Sequence, residues 1–372
     1  MRIAYVVGAR PNLVKMAPVV AELRRRLPEA RHVLIHTGQH YDRMMSDVFL
    51  RDLELPAPEY ELGVGSGTHA AQTARVMERI EPVLERERPD LLIVPGDVNS
   101  TLAAALVAVK VGIPIAHVES GLRSFDRTMP EEINRIVADA FAEHLFLHSQ
   151  EAIENLRKEG VPKHKMHFVG NTMIDTLVGM EERFRAVEAA RTFELTPGDY
   201  LLVTLHRPAL VDGPLLDGAI AELAKLAAGQ LPVLFPIHPR TRKMLGERAA
   251  QPGLRLIDPV GYLQFLSLEA DAAAVLTDSG GVQEETTHLG VPCFTLRDST
   301  ERPVTVRLGT NTMLGLAPGR IREIPELLGA GRDGAVQPPL WDGRASVRLA
   351  DVLLTSGPRE AAPDAARSAP RP

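Results

Sequence analysis

Short apolar runs recur along the chain with amphipathic stretches between them. In the first half, the runs near 2–7, 32–36, 90–94, 114–118, 144–148 and 166–169 read as buried strands. The pattern restarts over 199–205 and continues near 231–237, 254–257, 273–277 and 292–296. Buried runs of this length alternating with helix-period segments are the signature of parallel βαβ units. After the first run, Leu13, Ala17, Val20 and Leu23 fall on one face of a helix over 12–26, and Arg24, Arg25 and Arg26 close it at its negative pole. The pattern predicts an α/β protein of two doubly wound halves. The stretch 172–198 between them is charged and helical and ends in Thr196-Pro197-Gly198, a hinge composition. From Gly357 to Pro372 the chain is rich in Pro, Ala and Arg and is expected to be disordered.

Open α/β sheets bind ligands beyond the carboxyl ends of their strands, so the polar residues placed there carry the functional reading. The first half delivers Gly8-Ala9-Arg10-Pro11-Asn12, Thr37-Gly38-Gln39-His40, Gly96-Asp97 and Glu119-Ser120-Gly121-Leu122-Arg123 to that edge. The second half delivers Leu205-His206-Arg207 and Ile237-His238-Pro239-Arg240. Gln39, Arg123 and His238 thereby become candidate ligand contacts. The sharpest segment is Asp278-Ser279-Gly280-Gly281-Val282-Gln283-Glu284-Glu285, directly after an apolar run. Paired glycines let backbone N–H groups approach a phosphate, and a helix start adds unpaired donors and the positive end of its dipole. Ser279 is placed to cap that helix or bond the anion, and Glu284 or Glu285, one turn in, to hold a ribose diol. An ordinary strand-to-helix turn is the plain alternative.

Composition narrows the classes. The 372 residues carry a net charge of −6 with no Lys/Arg block, which argues against nucleic acid and anionic membranes as partners. A single cysteine, Cys293, forms no internal disulfide and reads as a buried strand thiol. The first apolar run is too soon broken by Gly8 to be a signal or membrane segment, so a cytoplasmic protein is expected. No Gly-x-Gly-x-x-Gly follows the first strand, and Gly63-Val64-Gly65-Ser66-Gly67 has neither its spacing nor its context. Walker A, His-Glu-x-x-His, paired-cysteine and Gly-x-Ser-x-Gly patterns are also absent from the sequence.

Taken in order from residue 8 to residue 303, these blocks resemble the bacterial and archaeal UDP-N-acetylglucosamine 2-epimerases. Beside those above, the resemblance rests on Lys15, His117-Val118-Glu119, Pro130-Glu131-Glu132-Ile133-Asn134-Arg135 and Arg297-Asp298-Ser299-Thr300-Glu301-Arg302-Pro303. It implies a GT-B-like fold of two Rossmann-like domains facing across a cleft. The first would span 1–171 and the second, UDP-binding, 172–344; a C-terminal helix over 345–357 would pack back on the first domain, before a disordered tail over 358–372. It also implies a cytoplasmic homodimer that interconverts UDP-GlcNAc and UDP-ManNAc with neither a cofactor nor a metal, supplying cell-surface polysaccharide. Position by position, its catalytic residues fall on Asp97, Glu119, Glu131 and His206. Its UDP contacts fall on Arg10, Lys15, Phe265, Ser279, Gly280, Gly281, Glu285 and Arg302. Phe265 reads equally well as a core aromatic, and Glu132 and Glu284 as charge neighbours without a direct role.

The chemistry explains the residue types. The C2 hydrogen of the sugar has no adjacent carbonyl, so a carboxylate removes it only if the anomeric C–O bond also breaks, placing negative charge on UDP and cationic character on the ring. Donors at the diphosphate and carboxylates around C2 meet those demands. Loss of the proton gives 2-acetamidoglucal, and re-addition of UDP after protonation of the other face gives the epimer.

Three positions depart from the family pattern. Ala209 and Leu210 follow Pro208 where relatives tend to carry an acidic or small polar residue and then Asn. An apolar Leu210 in the cleft wall would exclude water and favour return of UDP. Asp42 stands where some members have a glutamine associated with a second, activating UDP-GlcNAc. The rival readings are a hydrolysing 2-epimerase that releases ManNAc, a GT-B glycosyltransferase and a silent sugar-nucleotide sensor.

Overall fold

Seven parallel strands form the first sheet and six the second among the described residues, and each sheet is wound in both directions from its first strand. The computed structural model describes residues 1–38, 49–229, 231–237, 239–246, 253–331 and 336–355. Asp42 and the tail over 358–372 lie outside the described residues. The first sheet comprises β1 (Arg2–Val7), β2 (Arg31–His36), β3 (Tyr60–Glu61), β4 (Leu91–Pro95), β5 (Ile115–Val118), β6 (His144–Leu147) and β7 (Met166–Phe168), in the order β3-β2-β1-β4-β5-β6-β7. The second comprises β8 (Leu201–Thr204), β9 (Val233–Pro236), β10 (Leu254–Ile257), β11 (Ala274–Thr277), β12 (Cys293–Thr295) and β13 (Asn311–Met313), in the order β10-β9-β8-β11-β12-β13.

Each strand is apolar because both faces of a parallel sheet are covered by helices. Along β1, Ile3, Tyr5 and Val7 join the core on one face while Ala4 and Val6 join the core on the other. In the second sheet, Leu201 and Val203 face one core and Leu202 the other.

In such sheets the strand order reverses beside the first strand, where neighbouring loops part and leave a crevice. The reversal lies between β1 and β4 in the first sheet and between β8 and β11 in the second. The loops at these two points are Gly8–Ala9, Gly96–Val98, Leu205–Arg207 and Asp278–Ser279, which carry most of the candidate site.

The junction over 172–198 is three helices, Thr172–Gly179, Glu181–Arg185 and Ala189–Thr192. Thr176 Oγ1 donates to the carbonyl of Val14 at 2.7 Å, tying the first of them to the helix Arg10–Arg26. Asp175 on the same helix accepts from the backbone N–H of Ala345 at 2.9 Å and from the N–H and hydroxyl of Ser346, each at 2.6 Å. It thus caps the C-terminal helix Ala345–Thr355, whose Leu349, Ala350 and Leu353 enter the first sheet's core. The chain that begins by building the first sheet returns at its end to cover it. Among the described residues, no helix is long and apolar enough to cross a membrane.

Candidate active site

Asp97 follows Gly96, whose φ of 61° turns the chain sharply off the end of β4. The Asp97 carboxylate accepts from Arg135 at 2.5 Å, and its carbonyl accepts from Asn134 Nδ2 at 2.9 Å. Arg135 and Asn134 come from the helix Pro130–Phe141, one turn beyond Glu131. Burial pushes the Asp97 carboxyl up, but the charges of Arg135, Lys15 and Arg302 outweigh it and hold the group below the usual range.

Glu119 follows β5 with φ of 64°, an unusual left-handed conformation for a non-glycine residue. Its buried carboxylate sits 2.7 Å from Lys15 Nζ and accepts from Arg302 at 3.1 Å. Lys15 belongs to the first lobe and Arg302 to the second, so Glu119 stands between the two. Glu131, half-buried in the first turn of its helix, lies in the field of Arg207 from the second lobe.

In the second lobe, Asp278 organises the opposing wall. Its Oδ2 accepts from the backbone N–H groups of His206 at 2.9 Å and Arg207 at 2.8 Å, and its Oδ1 lies 3.0 Å from His206 Nδ1. The imidazole is therefore oriented by a carboxylate through Nδ1, with its side chain 55% exposed on the cleft-side loop. Ser279 and Gly280 follow Asp278 and open the helix Gly280–Leu289. The Ser279 side chain makes no cap bond, and the first N–H groups of a helix have no partner within it, the kind of start that can receive an anion.

Arg302 stands directly against that helix start. A Cβ added at Gly280 would come within 2.7 Å of its guanidinium carbon. Arg302 meets Glu119 at 3.1 Å, Glu284 at 2.9 Å and Glu301 at 2.6 Å, and Glu301 is shared with Arg297 at 2.8 Å. Glu284 is fully buried; burial raises its pKa, yet Arg302, His148 and Lys15 bring it down to about 2. Glu285 beside it is pushed up to about 7, by burial first and by the charge of Glu284, against a hydrogen bond donated by Tyr262 at 2.7 Å. Burial also raises Glu269, which feels Glu285.

Lys15, Asp97, Glu119, Glu131, His206, Ser279, Gly280, Glu285 and Arg302 thus gather at the facing edges of the two sheets, with Arg10 opening the helix after β1. Gly281 follows Gly280, and a Cβ there would meet Met173 Cε at 3.0 Å. Gln39 and His238 lie outside the described residues. Arg123 is a correction. It is buried, with its guanidinium paired to Asp139 at 2.7 Å and to Glu159 at 2.6 and 2.7 Å, so its donors serve the fold behind β5 and not a ligand. Phe265 is half-buried against the second sheet's core. Leu210 is also corrected: it lies in the core of the second lobe, 1% exposed, and lines no cleft.

Sequence reasoning passed over Arg135, Asn134, Asp278 and Glu301 as site members, although each stands inside a motif it quoted, and it offered Glu284 only as an alternative to Glu285. Glu132 holds the loop before its helix by accepting from the N–H groups of Ser124 and Phe125. Among the described residues, no group of three or more His, Cys, Asp or Glu side chains is arranged to hold a metal ion.

Comparison with known proteins identifies the family. The family model for UDP-N-acetylglucosamine 2-epimerase matches residues 22–354. The UDP-N-acetylglucosamine 2-epimerase of Methanocaldococcus jannaschii is 40% identical over 367 residues, covering 95% of this chain and 99% of the relative. Its crystal structure in complex with UDP-GlcNAc and UDP superposes with a TM-score of 0.87, over 95% of this chain and all of that one. The UDP-2,3-diacetamido-2,3-dideoxy-D-glucuronate 2-epimerase of Pseudomonas aeruginosa is 39% identical over 358 residues, 95% of this chain and 99% of the relative. A glycotransferase of kitacinnamycin, 15% identical with a TM-score of 0.56, shares the fold alone, the GT-B-like pairing of two parallel α/β lobes. With its carboxylates on one lobe, its phosphate-type helix start on the other and this match along nearly its whole length, the chain belongs to the UDP-N-acetylglucosamine 2-epimerase family.

Proposed function

We propose that this protein interconverts UDP-GlcNAc and UDP-ManNAc by elimination and re-addition of UDP. The observation that carries the reading is Arg302, which lies against the Gly280 helix start while bonded to Glu119 of the other lobe. It puts a carboxylate within one side chain of the place where a diphosphate would leave. In the forward direction the anomeric C–O bond breaks with its electron pair going to UDP, a first-lobe carboxylate takes the C2 proton, and the C1–C2 double bond of 2-acetamidoglucal forms. Donors at the helix start and Arg302 stabilise the departing diphosphate. Re-protonation at C2 on the opposite face, with UDP returning to C1, completes the epimerisation.

Asp97, Glu119 and Glu131 are assigned to proton transfer and cation stabilisation. His206, oriented by Asp278, faces them from the second lobe. Arg10, Lys15, Ser279, Gly280, Gly281, Glu285 and Arg302 are assigned to the nucleotide, Glu285 to its ribose. Retention of UDP is favoured over hydrolysis because the lobes close on each other through buried ion pairs, a setting that excludes water. The separate clusters on the outer face of the first sheet and around the second support two lobes, with the helices Thr172–Gly179 and Glu181–Arg185 packed on the first, and family membership supports a cytoplasmic homodimer.

A second substrate reading has one specific support, the similarly close P. aeruginosa relative, whose named substrate differs at C3 and C6 and reacts at the same C2. Incubation with UDP-GlcNAc alone in D2O, followed by proton and phosphorus NMR, tests the assignment. Deuterium at C2 and a stable mixture of two UDP-sugars are expected. Free UDP with ManNAc would replace retention by hydrolysis. No exchange with UDP-GlcNAc, but exchange with the diacetamido uronate, would move the protein to the second substrate.

A further inference from the structure

His148 follows β6 in the first lobe and is 2% exposed, yet it faces the second lobe. Its Nε2 lies 3.1 Å from Glu284 Oε1 on the phosphate-type helix, the same oxygen that Arg302 Nε approaches to 2.9 Å. Neither ring nitrogen has a well-aligned hydrogen bond within the described residues, and the same holds for both Glu284 oxygens and for Arg302 Nε. A buried histidine commonly has its tautomer fixed by a hydrogen bond to a backbone carbonyl or a carboxylate. This ring is instead held through its backbone and its edge: Trp341 Nε1 donates to the His148 carbonyl at 2.9 Å, and the two rings meet edge-on at 5.9 Å. The result is an alternating row of charged and ionisable groups, Lys15, Glu119, Arg302, Glu284 and His148. Its ends belong to the first lobe and its middle to the second.

Arg302 is shared by three carboxylates, all buried, so a diphosphate arriving at the Gly280 helix start meets a guanidinium whose every nitrogen already lies against a carboxylate. For Arg302 to turn toward phosphate, one carboxylate must release it without being left buried and uncompensated, which would be costly. Glu119 and Glu301 accept hydrogen bonds from Arg302 and are also paired with Lys15 and Arg297, whereas Glu284 is the one Arg302 meets without an aligned bond, with His148 on its other side. We infer that His148 is a positioning residue for nucleotide binding: it takes over the Glu284 carboxylate when UDP arrives, which frees an Arg302 donor for the diphosphate. The loose alignment of the three groups suits an exchange, because a well-formed Arg302–Glu284 bond would have to be broken first. This inference rests on the reading that the Gly280 helix start holds the diphosphate.

The test is calorimetric titration of the full-length protein with UDP, together with steady-state kinetics. His148→Phe keeps the volume and the edge contact with Trp341 but offers Glu284 nothing. It should weaken UDP binding about tenfold, the scale of one charge-assisted hydrogen bond, and raise KM by a similar factor with kcat within about threefold. His148→Gln, which retains an N–H donor, should restore most of the affinity. Glu284→Gln, which releases Arg302 outright, should bind UDP at least as tightly as the native protein, and adding His148→Phe to it should change nothing further. Native-like UDP affinity in His148→Phe, or an equal loss in the Glu284→Gln background, would overturn the inference. So would a tenfold loss in Glu284→Gln alone, a result available even if His148→Phe does not fold. Failure of the native protein to bind UDP would count instead against the nucleotide reading itself.

Discussion

Each carboxylate of the first lobe is set in a different environment, and this separates the effects expected of its removal. Replacing Asp97, Glu119 or Glu131 by its amide should lower turnover by about two orders of magnitude or more, the scale of a positioned acid–base group, as initial rates of C2 exchange would show. Glu119→Gln should differ from the others in binding. It removes a competitor from Arg302, so UDP should bind it at least as tightly as the native protein, whereas Asp97→Asn, whose carboxylate is bonded to Arg135, should leave UDP affinity nearly unchanged. Glu285 brings a pH dependence. Its carboxyl is raised to about 7, and a ribose diol donates to the ionised form. Below pH 7 binding must therefore expel a proton, so UDP affinity should fall as pH drops from 7 and level off above it. Titration across pH 5.5 to 8.5 would show this, and Glu285→Gln should bind more weakly with the slope gone. That Asp97, Glu119, His206 and Arg302 come to the facing edges was legible because each sits in a contiguous motif in a loop that follows a strand. Arg123 looked the same in one dimension; what removes it are Asp139 and Glu159, partners far off in sequence that only the fold delivers.

The helix Gly280–Leu289 is the element on which the nucleotide reading depends, and its two glycines are not equivalent. At Gly280 an added methyl would drive into the Arg302 guanidinium and Glu301, whereas at Gly281 it meets the flexible end of Met173. Gly280→Ala should weaken UDP binding about tenfold or more and Gly281→Ala much less; equal losses would place the anion elsewhere on the helix. Most strands were readable as elements because a buried parallel strand is a continuous apolar run. The exceptions are β3 and β13, two and three residues long, too short for any periodicity and recognisable only by the neighbour each pairs with. Leu210 was misjudged for a related reason. The loop after β8 becomes the short helix Pro208–Val211, which turns Leu210 inward to the second lobe's core while His206 stays outside.

At the scale of the molecule, the two lobes are in contact through ion pairs made across the cleft, Glu119 with Arg302 and Glu284 with His148. Opening must break these together, so UDP, which loads the same network, should shift the population toward the contracted form. A decrease in radius of gyration on saturating UDP in small-angle scattering is the expected result, and a protein that is open when free and stays open with UDP would contradict it. The chain's return to its first lobe has another consequence, for biosynthesis. The helix Ala345–Thr355 fills the first sheet's core and is capped by Asp175, so during translation the first lobe stays short of part of its own interior until nearly the last described residue has emerged from the ribosome. The nascent N-terminal half therefore waits with an apolar groove between the helices Arg10–Arg26 and Thr172–Gly179, a stage at which chaperones and self-association compete for it. A polypeptide ending after residue 198 should aggregate, and appending residues 338–355 through a flexible linker should restore solubility. The lobe that leaves the ribosome first is thus the last whose core can be completed.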